Sequence, residues 1–487
     1  MCVADALELA DSFLSRQNLT NSTMGTRTYP ANLPVDAPEY RFPPGLEHNL
    51  VWRVLKRMRP VDPIPFFQSL AERFGPAAHY KLGRQHIVFI NDPEYVRQIL
   101  VVQNDNFVKE RVVQRSKLLL GEGMITAEGA EHRRQRQAAQ PAFHRQAIPA
   151  YAATMARVAA EACDGWRPQQ ELNIALEMMH LTLKVVAETL FGTDLSDEMR
   201  EVAQAINDIM SLYHFMILLP AAESLVHFPL PGVLKFRRAR RRLDELVYKM
   251  IEQHRSAPEA DSPDLLTMML RGNYGDNFRR DRRRDAQLRD EVITIFLAGY
   301  ETVANALAWT WWLLSQHPEV EAKFHKEVDT VLNGRLPGYD DLPRLGYTEM
   351  VLAESMRLYP PAWAMGRHAL RDFELGPYRL PAGTTLLMSQ YVMHRSPQYF
   401  RDPLTFDPDR FGPDAKVGRN RAAYFPFGAG ARQCIGESFA RMEGVLVLAT
   451  IAQRWKFQSA TQGKIQPEPL ITLRPKHGVS LHTVPRK

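Results

Sequence analysis

From Tyr80 to Ile90 apolar and polar positions alternate and then close in the run Ile87-Val88-Phe89-Ile90, which predicts a small β region. Asn91-Asp92-Pro93 then opens a helical pattern. Between about Ala130 and Gln253 the apolar positions recur mostly at helical spacing, broken at Pro141, Pro149, Gly165 and Pro220. A second β-rich stretch is predicted from about Ala369 to Val392. The longest predicted helix runs from about Leu288 to Gln316, ahead of Pro318, a length of about 40 Å at about 1.5 Å per residue. Its middle, Val292 to Leu297, is apolar on nearly every face, which predicts a helix buried on all sides. Glu291, Glu301 and Asn305 lie inside it and argue against a membrane span. The predicted fold class is mainly α with a small β-rich region.

Composition narrows this picture. The chain has 487 residues, 45% hydrophobic and 24% charged, so it can bury a large core and is not built like a disordered protein. No Gly/Ser-rich linker, repeat or low-complexity block divides it, so residues 1–487 read as a single domain. The arm over residues 1–45 has neither a signal-peptide core nor an apolar span, which predicts a soluble chain without a transmembrane segment. Cys2, Cys163 and Cys434 are spaced for neither a disulfide framework nor a zinc site, and a reducing cytoplasm fits best. The formal net charge is +6, with Arg runs at Arg133-Arg134, Arg237-Arg238, Arg240-Arg241-Arg242 and Arg282-Arg283-Arg284. No nucleic-acid-binding pattern accompanies them; most are solvated helix faces, and the functional reading is an acidic protein partner or an anionic cofactor. A monomer is expected.

The chemistry concentrates around Phe425-Pro426-Phe427-Gly428-Ala429-Gly430-Ala431-Arg432-Gln433-Cys434-Ile435-Gly436, ahead of a helical pattern from Glu437 to Arg454. Closely spaced glycines let such a loop take positive φ and approach a flat ligand, and a helix start just after Cys434 offers free N–H groups that favour a thiolate. A buried, inert cysteine is the bland alternative, and it is the one preferred for Cys163. Phe427-Gly428-x-Gly430-x-Arg432-x-Cys434-x-Gly436 resembles the haem-binding loop of the cytochrome P450 family at every diagnostic position. The resemblance implies haem b, with Cys434 as the thiolate on the iron and Arg432 facing a haem propionate.

Other segments follow the same family in the same order. Gly129-x-x-His132-x-x-x-Arg136 is similar to its propionate-binding helix, with His132 where many members carry Trp, and Arg367 is a third cation for a propionate, ahead of His368. Ala298-Gly299-Tyr300-Glu301-Thr302 falls midway along the long helix. Ala298, Gly299 and Thr302 share a face on which a ring and a diatomic ligand could come close, although a small-residue packing groove is the alternative. Thr302 can also bond back to the carbonyl of Ala298 and open the helix locally. The resemblance implies that Glu301 and Thr302 form an acid–alcohol pair that binds water and relays protons for cleavage of the O–O bond. Glu354-Ser355-Met356-Arg357 is weak evidence by spacing alone, since Glu94/Arg97, Glu131/Arg134 and Glu252/Arg255 repeat it as expected surface pairs. With Arg410, Glu354 and Arg357 are implied to form a buried structural network. The family fold is a triangular, mostly helical single domain.

The resemblance implies a haem-dependent monooxygenase that inserts one oxygen atom from O2 into a hydrophobic small molecule of fatty acid, terpenoid or polyketide type. Ala298, Ala362 to Met365, the loop from about Val108 to Leu120, and Leu470-Ile471 should line the substrate pocket, with Phe215 to Pro220 near its mouth. No flavin or iron–sulfur pattern follows Arg454, so electrons should come from a separate ferredoxin or flavodoxin-like donor docking on Arg133, Arg134, Arg419 and Arg421. The competing readings are a haem-thiolate peroxygenase or isomerase, and a non-catalytic haem sensor or carrier.

Overall fold

Asp281 begins the central helix: its side chain accepts hydrogen bonds from the N–H groups of Arg283 and Arg284, so the helix starts at Arg282 rather than at Leu288 and ends at Gln316 before Pro318. The computed structural model describes residues 39–47, 62–144, 146–194, 201–202, 204–206, 208–209, 231–256, 264–274, 281–413, 420–460 and 463–486. Among these, the longer helices are α1 (Pro63–Phe74), α2 (Gly129–Ala139), α3 (Ile148–Asp164), α4 (Ile174–Leu190) and α5 (Pro231–Ser256). They continue with α6 (Leu265–Tyr274), α7 (Arg282–Gln316, the central helix), α8 (Pro318–Leu332), α9 (Gly346–Leu358) and α10 (Glu437–Ala452). Helix dominates, as the periodicity predicts.

The β region is one five-stranded sheet with small satellites. Its strands are β1 (Ala77–Leu82), β2 (Gln85–Ile90), β3 (Phe107–Lys109), β4 (Met365–Ala369) and β5 (Thr385–Met388), in the spatial order β1-β2-β5-β4-β3. Only β2 and β5 run parallel, with Ile87 opposite Thr385 and Ile90 opposite Met388. The stretch predicted from Ala369 onward therefore starts earlier, at Met365, and breaks into short strands before a helical turn at Gln390–Met393. Two further stretches of chain escape the hydrophobic pattern. The strand Phe107–Lys109 is too short to show a period, and the tail folds into strands Trp455–Ser459, Pro467–Pro469, Leu473–Pro475 and Ser480–Pro485.

The main core gathers α3, α4, α7, α9 and α10, with Leu307, Ala308, Trp309 and Trp311 of α7 essentially inaccessible. Trp309 stacks on Tyr359 at 3.9 Å and donates its Nε1–H to Leu473 O at 3.0 Å, which fixes the tail strand beside the central helix. By length and composition α7 could cross a membrane, but 83% of its most apolar window is buried inside the protein, as the core reading requires. Behind the Cys434 loop, Arg357 holds Glu354 through two bonds of 2.7 Å, both side chains wholly buried. The same guanidinium donates to His394 O and Pro403 O at 2.7 Å and to Thr405 O at 3.1 Å, while Arg410 Nε lies 3.3 Å from Glu354. One arginine thus satisfies carbonyls of a chain segment that has no ladder of its own.

Candidate active site

The Cys434 loop owes its shape to two glycines. Gly428 and Gly430 both sit at φ +70°, and a Cβ on Gly430 would stand 2.0 Å from Leu100 O, so the turn closes against the neighbouring main chain only without a side chain there. Gly436, the third glycine of the motif, has φ −89° and needs no such freedom. Cys434 N–H donates to Phe427 O at 2.9 Å, closing the loop on itself. Cys434 keeps accessible surface while protein atoms crowd around it, so what it faces is a cleft rather than bulk solvent. Burial pushes the thiol up, against the Gly436 N–H and the positive charge of Arg136 and Lys109. A bound cation would turn that balance toward thiolate. Cys163 is the inert cysteine expected: fully buried, its thiol pushed up to about 12 by burial.

Around the loop the structure collects cations. His132 and Arg136 come from α2, Arg367 from β4 and Arg432 from the loop, and Lys109 joins them from β3 because Lys109 stands opposite Arg367 in the β3–β4 ladder. Burial, then Arg432 and Lys109, push His132 down to about 3, so this imidazole is neutral. Burial and the other cations also lower Lys109 to about 7 and Arg367 to about 10. Burial is the largest cause of each shift; among the charges Arg432 lowers all three, and for Lys109 and Arg367 the carboxylates Glu128 and Glu110 work the other way. Arg432 pairs with Glu128 and donates to Ala127 O at 2.7 Å, and Arg136 donates to Gln433 O at 2.7 Å. Such a cluster suits a dianionic ligand. Phe427, half-buried, stacks under the Arg441 guanidinium at 5.2 Å on the side of the Cys434 helix.

On the central helix, α7, one face is not sealed. Ala298, Gly299 and Thr302 keep partial exposure while Leu297, Tyr300, Glu301 and Val303 are buried. Thr302 Oγ1 donates to Ala298 O at 2.8 Å, the back-bond expected. Gly299 departs from its expectation. A Cβ there would meet Val186 of α4 at 3.1 Å, so its smallness serves helix packing, whereas Ala298 and Thr302 border the opening. Glu301 is not free to turn as a simple partner of Thr302. Its Oε1 accepts from Arg474 Nε at 2.9 Å and from the hydroxyl of Thr472, and Asn305 Nδ2 in turn donates to Thr472 at 3.1 Å.

Of the expected pocket lining, Met365 reaches to 3.5 Å of the Gly428 Cβ position, and Trp363 is anchored by a 2.9 Å bond to Leu470 O. Phe215 to Pro220 lies outside the described residues. Of the expected basic surface, Arg133 is exposed and Arg134 pairs with Glu131 at 2.6 Å, while Arg419 and the Arg421 side chain lie outside what is described. Arg255 lies 3.7 Å from Glu252, as its spacing suggests, but it is nearly buried and also binds Asp285 of α7. Lys109, Thr472 and Arg474 had no local signal in the sequence, since strand pairing and the returning tail bring them in.

A model of the family described as Cytochrome P450 matches residues 43–482. The chain belongs to the cytochrome P450 family. Among its relatives, cyclooctatin synthase of Streptomyces melanosporofaciens is 37% identical over 411 residues, 84% of this chain and 89% of that protein. Cyclooctat-9-en-7-ol 5-monooxygenase of the same organism is 38% identical over 401 residues, covering 81% and 85% of the two chains. Pentalenene oxygenase of Streptomyces avermitilis is 34% identical over 425 residues, covering 87% and 92%. As a P450, the chain is a haem-dependent monooxygenase with haem b as its cofactor. The residues present fit that group: an accessible cysteine in a tight glycine loop lies beside a cluster of cations.

Proposed function

We propose that this P450 hydroxylates a terpenoid, with Cys434 as its haem ligand. The observation that carries the cofactor assignment is the pairing of that accessible cysteine with the Lys109, His132, Arg136, Arg367 and Arg432 cluster. The names of the relatives at 34–38% identity carry the substrate class. Haem, when bound, supplies the O2-binding and redox chemistry. Arg367, Arg432 and Arg136 would hold its propionates, with neutral His132 as a hydrogen-bond donor, and Phe427, Gly428, Gly436 and Ala298 would line the group. Thr302 offers a hydroxyl for proton transfer on the open face of α7, and Glu301 supports it with its charge fixed by Arg474.

The catalytic unit is a single, soluble, cytoplasmic domain that acts as a monomer and takes electrons from a separate acidic ferredoxin or flavodoxin-like protein. Exposed Arg133 supports a basic docking surface on the Cys434 side. The test is reduction under carbon monoxide: a strongly red-shifted Soret band that Cys434→Ser abolishes supports thiolate ligation. Turnover of cyclooctat-9-en-7-ol with a ferredoxin and its reductase, read as one added oxygen atom by mass spectrometry, then tests the substrate class. An unshifted band, or a spectrum that Cys434→Ser leaves unchanged, overturns the ligand assignment.

A further inference from the structure

Upstream of Thr302 the central helix carries a second buried acid. Glu291, Thr294, Ala298 and Thr302 succeed one another at intervals of three and four residues, which places them on one face of α7. Glu291 and Thr294 are each 2% exposed. Glu291 Oε1 accepts from Gln287 at 3.1 Å, whereas Oε2 and the Thr294 hydroxyl meet no hydrogen-bond partner among the described residues. Buried polar atoms are rarely left so, and a water between them would satisfy both. The Thr294 side is narrow, because a Cβ on Gly123 would strike its hydroxyl at 2.1 Å, so the loop over residues 121–127 roofs this stretch of helix. At its outer end lie Glu131 and Arg134 of α2, a solvent-facing ion pair.

Building on the monooxygenase reading, we propose that Glu291 is a proton-supplying acid that acts through Thr294 on Thr302. Glu301, the nearer carboxylate, is engaged by Arg474 and Thr472 and gives up its position only by breaking a buried ion pair. The Glu291 route breaks none. The groups facing Glu291 are Gln287 on its own helix, the Met124 N–H of the roof loop, and Glu131 and Arg134 of α2. Burial dominates over them and raises its carboxyl to about 8, so it holds a proton at neutral pH. Each cycle takes two electrons from the redox partner and two protons, which leave one oxygen atom of O2 as water: the acid releases one proton inward along the face, is recharged from solvent past Glu131 and Arg134, and releases the second. Glu291 and Thr302 are about 16 Å apart along the axis, so water must complete the path.

Two measurements test this. Infrared difference spectroscopy of the holoenzyme across a pH titration should show a protonated carboxyl band that titrates near pH 8 and is missing in Glu291→Gln. In turnover of cyclooctat-9-en-7-ol, Glu291→Gln and Thr294→Val should slow the O2-and-electron-driven reaction by about tenfold or more and raise peroxide release. Turnover driven by added hydrogen peroxide, which brings its own protons, should change less than about twofold. A merely structural role would depress both reactions together, and that result, or O2-driven turnover as efficient as wild type, overturns the proposal. If Glu291→Gln loses haem, Thr294→Val gives the same split with the carboxyl left in place. If wild type itself does not oxidise this probe, the substrate reading fails, and the infrared band alone decides the present one: its absence overturns it.

Discussion

Arg474 Nη2 lies 2.7 Å from Glu301 Oε1, with the carboxylate almost wholly enclosed in the central helix and the guanidinium contributed by a strand of the C-terminal tail. The tail therefore packs into the central helix at Glu301 rather than standing apart from it. It determines how an acid next to Thr302 is oriented, and Thr472 and Asn305 extend the same network.

Removing one partner of that pair should cost more than the pair itself contributes. Arg474→Leu leaves Glu301 enclosed without its cation, and is expected to destabilise the protein by about 3–5 kcal/mol in chemical denaturation. Glu301→Gln with Arg474→Leu should recover a good part of this, giving a coupling energy of about 1–3 kcal/mol in the double-mutant cycle. Additive losses would mean the two residues do not act as a pair.

The two positive-φ glycines of the cysteine loop should respond differently to a methyl group. Gly428→Ala meets only Met365 at 3.5 Å and carries the backbone cost of positive φ, about 1–2 kcal/mol. Gly430→Ala adds a contact of 2.0 Å with the main-chain oxygen of Leu100, which cannot rotate away. In chemical denaturation of the haem-free protein, stability should fall by about that backbone cost in the first variant and by much more in the second.

Much of this site was legible in the chain because its parts are local. Gly428 and Gly430 take the positive φ that their spacing suggests and Thr302 makes its back-bond, whereas the buried role of Glu354 and Arg357 was legible only from the family context, since the same spacing recurs in surface pairs. What stayed hidden depends on chain segments meeting across the fold. Lys109 joins the cations only through a three-residue strand, Arg474 reaches Glu301 only through the folded tail, and Gly299 serves packing only because Val186 faces it. The start of α7 was misplaced for a different reason: the Asp281 cap outweighs the Arg-rich polarity of the first turn.

The Glu354–Arg357 pair should tolerate neither shortening nor loss of the fork. Lysine supplies one point charge where Arg357 reaches Glu354 and three carbonyls, so Arg357→Lys leaves buried acceptors unmet. The expected loss is about 3–5 kcal/mol, with haem released on purification. A variant as stable as wild type would remove the structural role assigned to this network.

Lys109 supplies a pH dependence whose sign follows from its surroundings. Burial and the Arg367 and Arg432 charges lower it to about 7, against about 10.4 for an unfolded lysine. Between these values the unfolded chain binds more protons than the folded one, so stability of the haem-free protein should rise as pH increases through that window. Its contribution is fully present above the unfolded value and is lost as pH falls toward 7. Lys109→Met should flatten the slope. Haem propionates beside the cluster would favour the charged lysine, so the holoenzyme should show a weaker rise than the haem-free protein, and haem dimethyl ester, which carries no propionate charge, should fail to weaken it. An equal slope in all three forms would separate Lys109 from the propionate site.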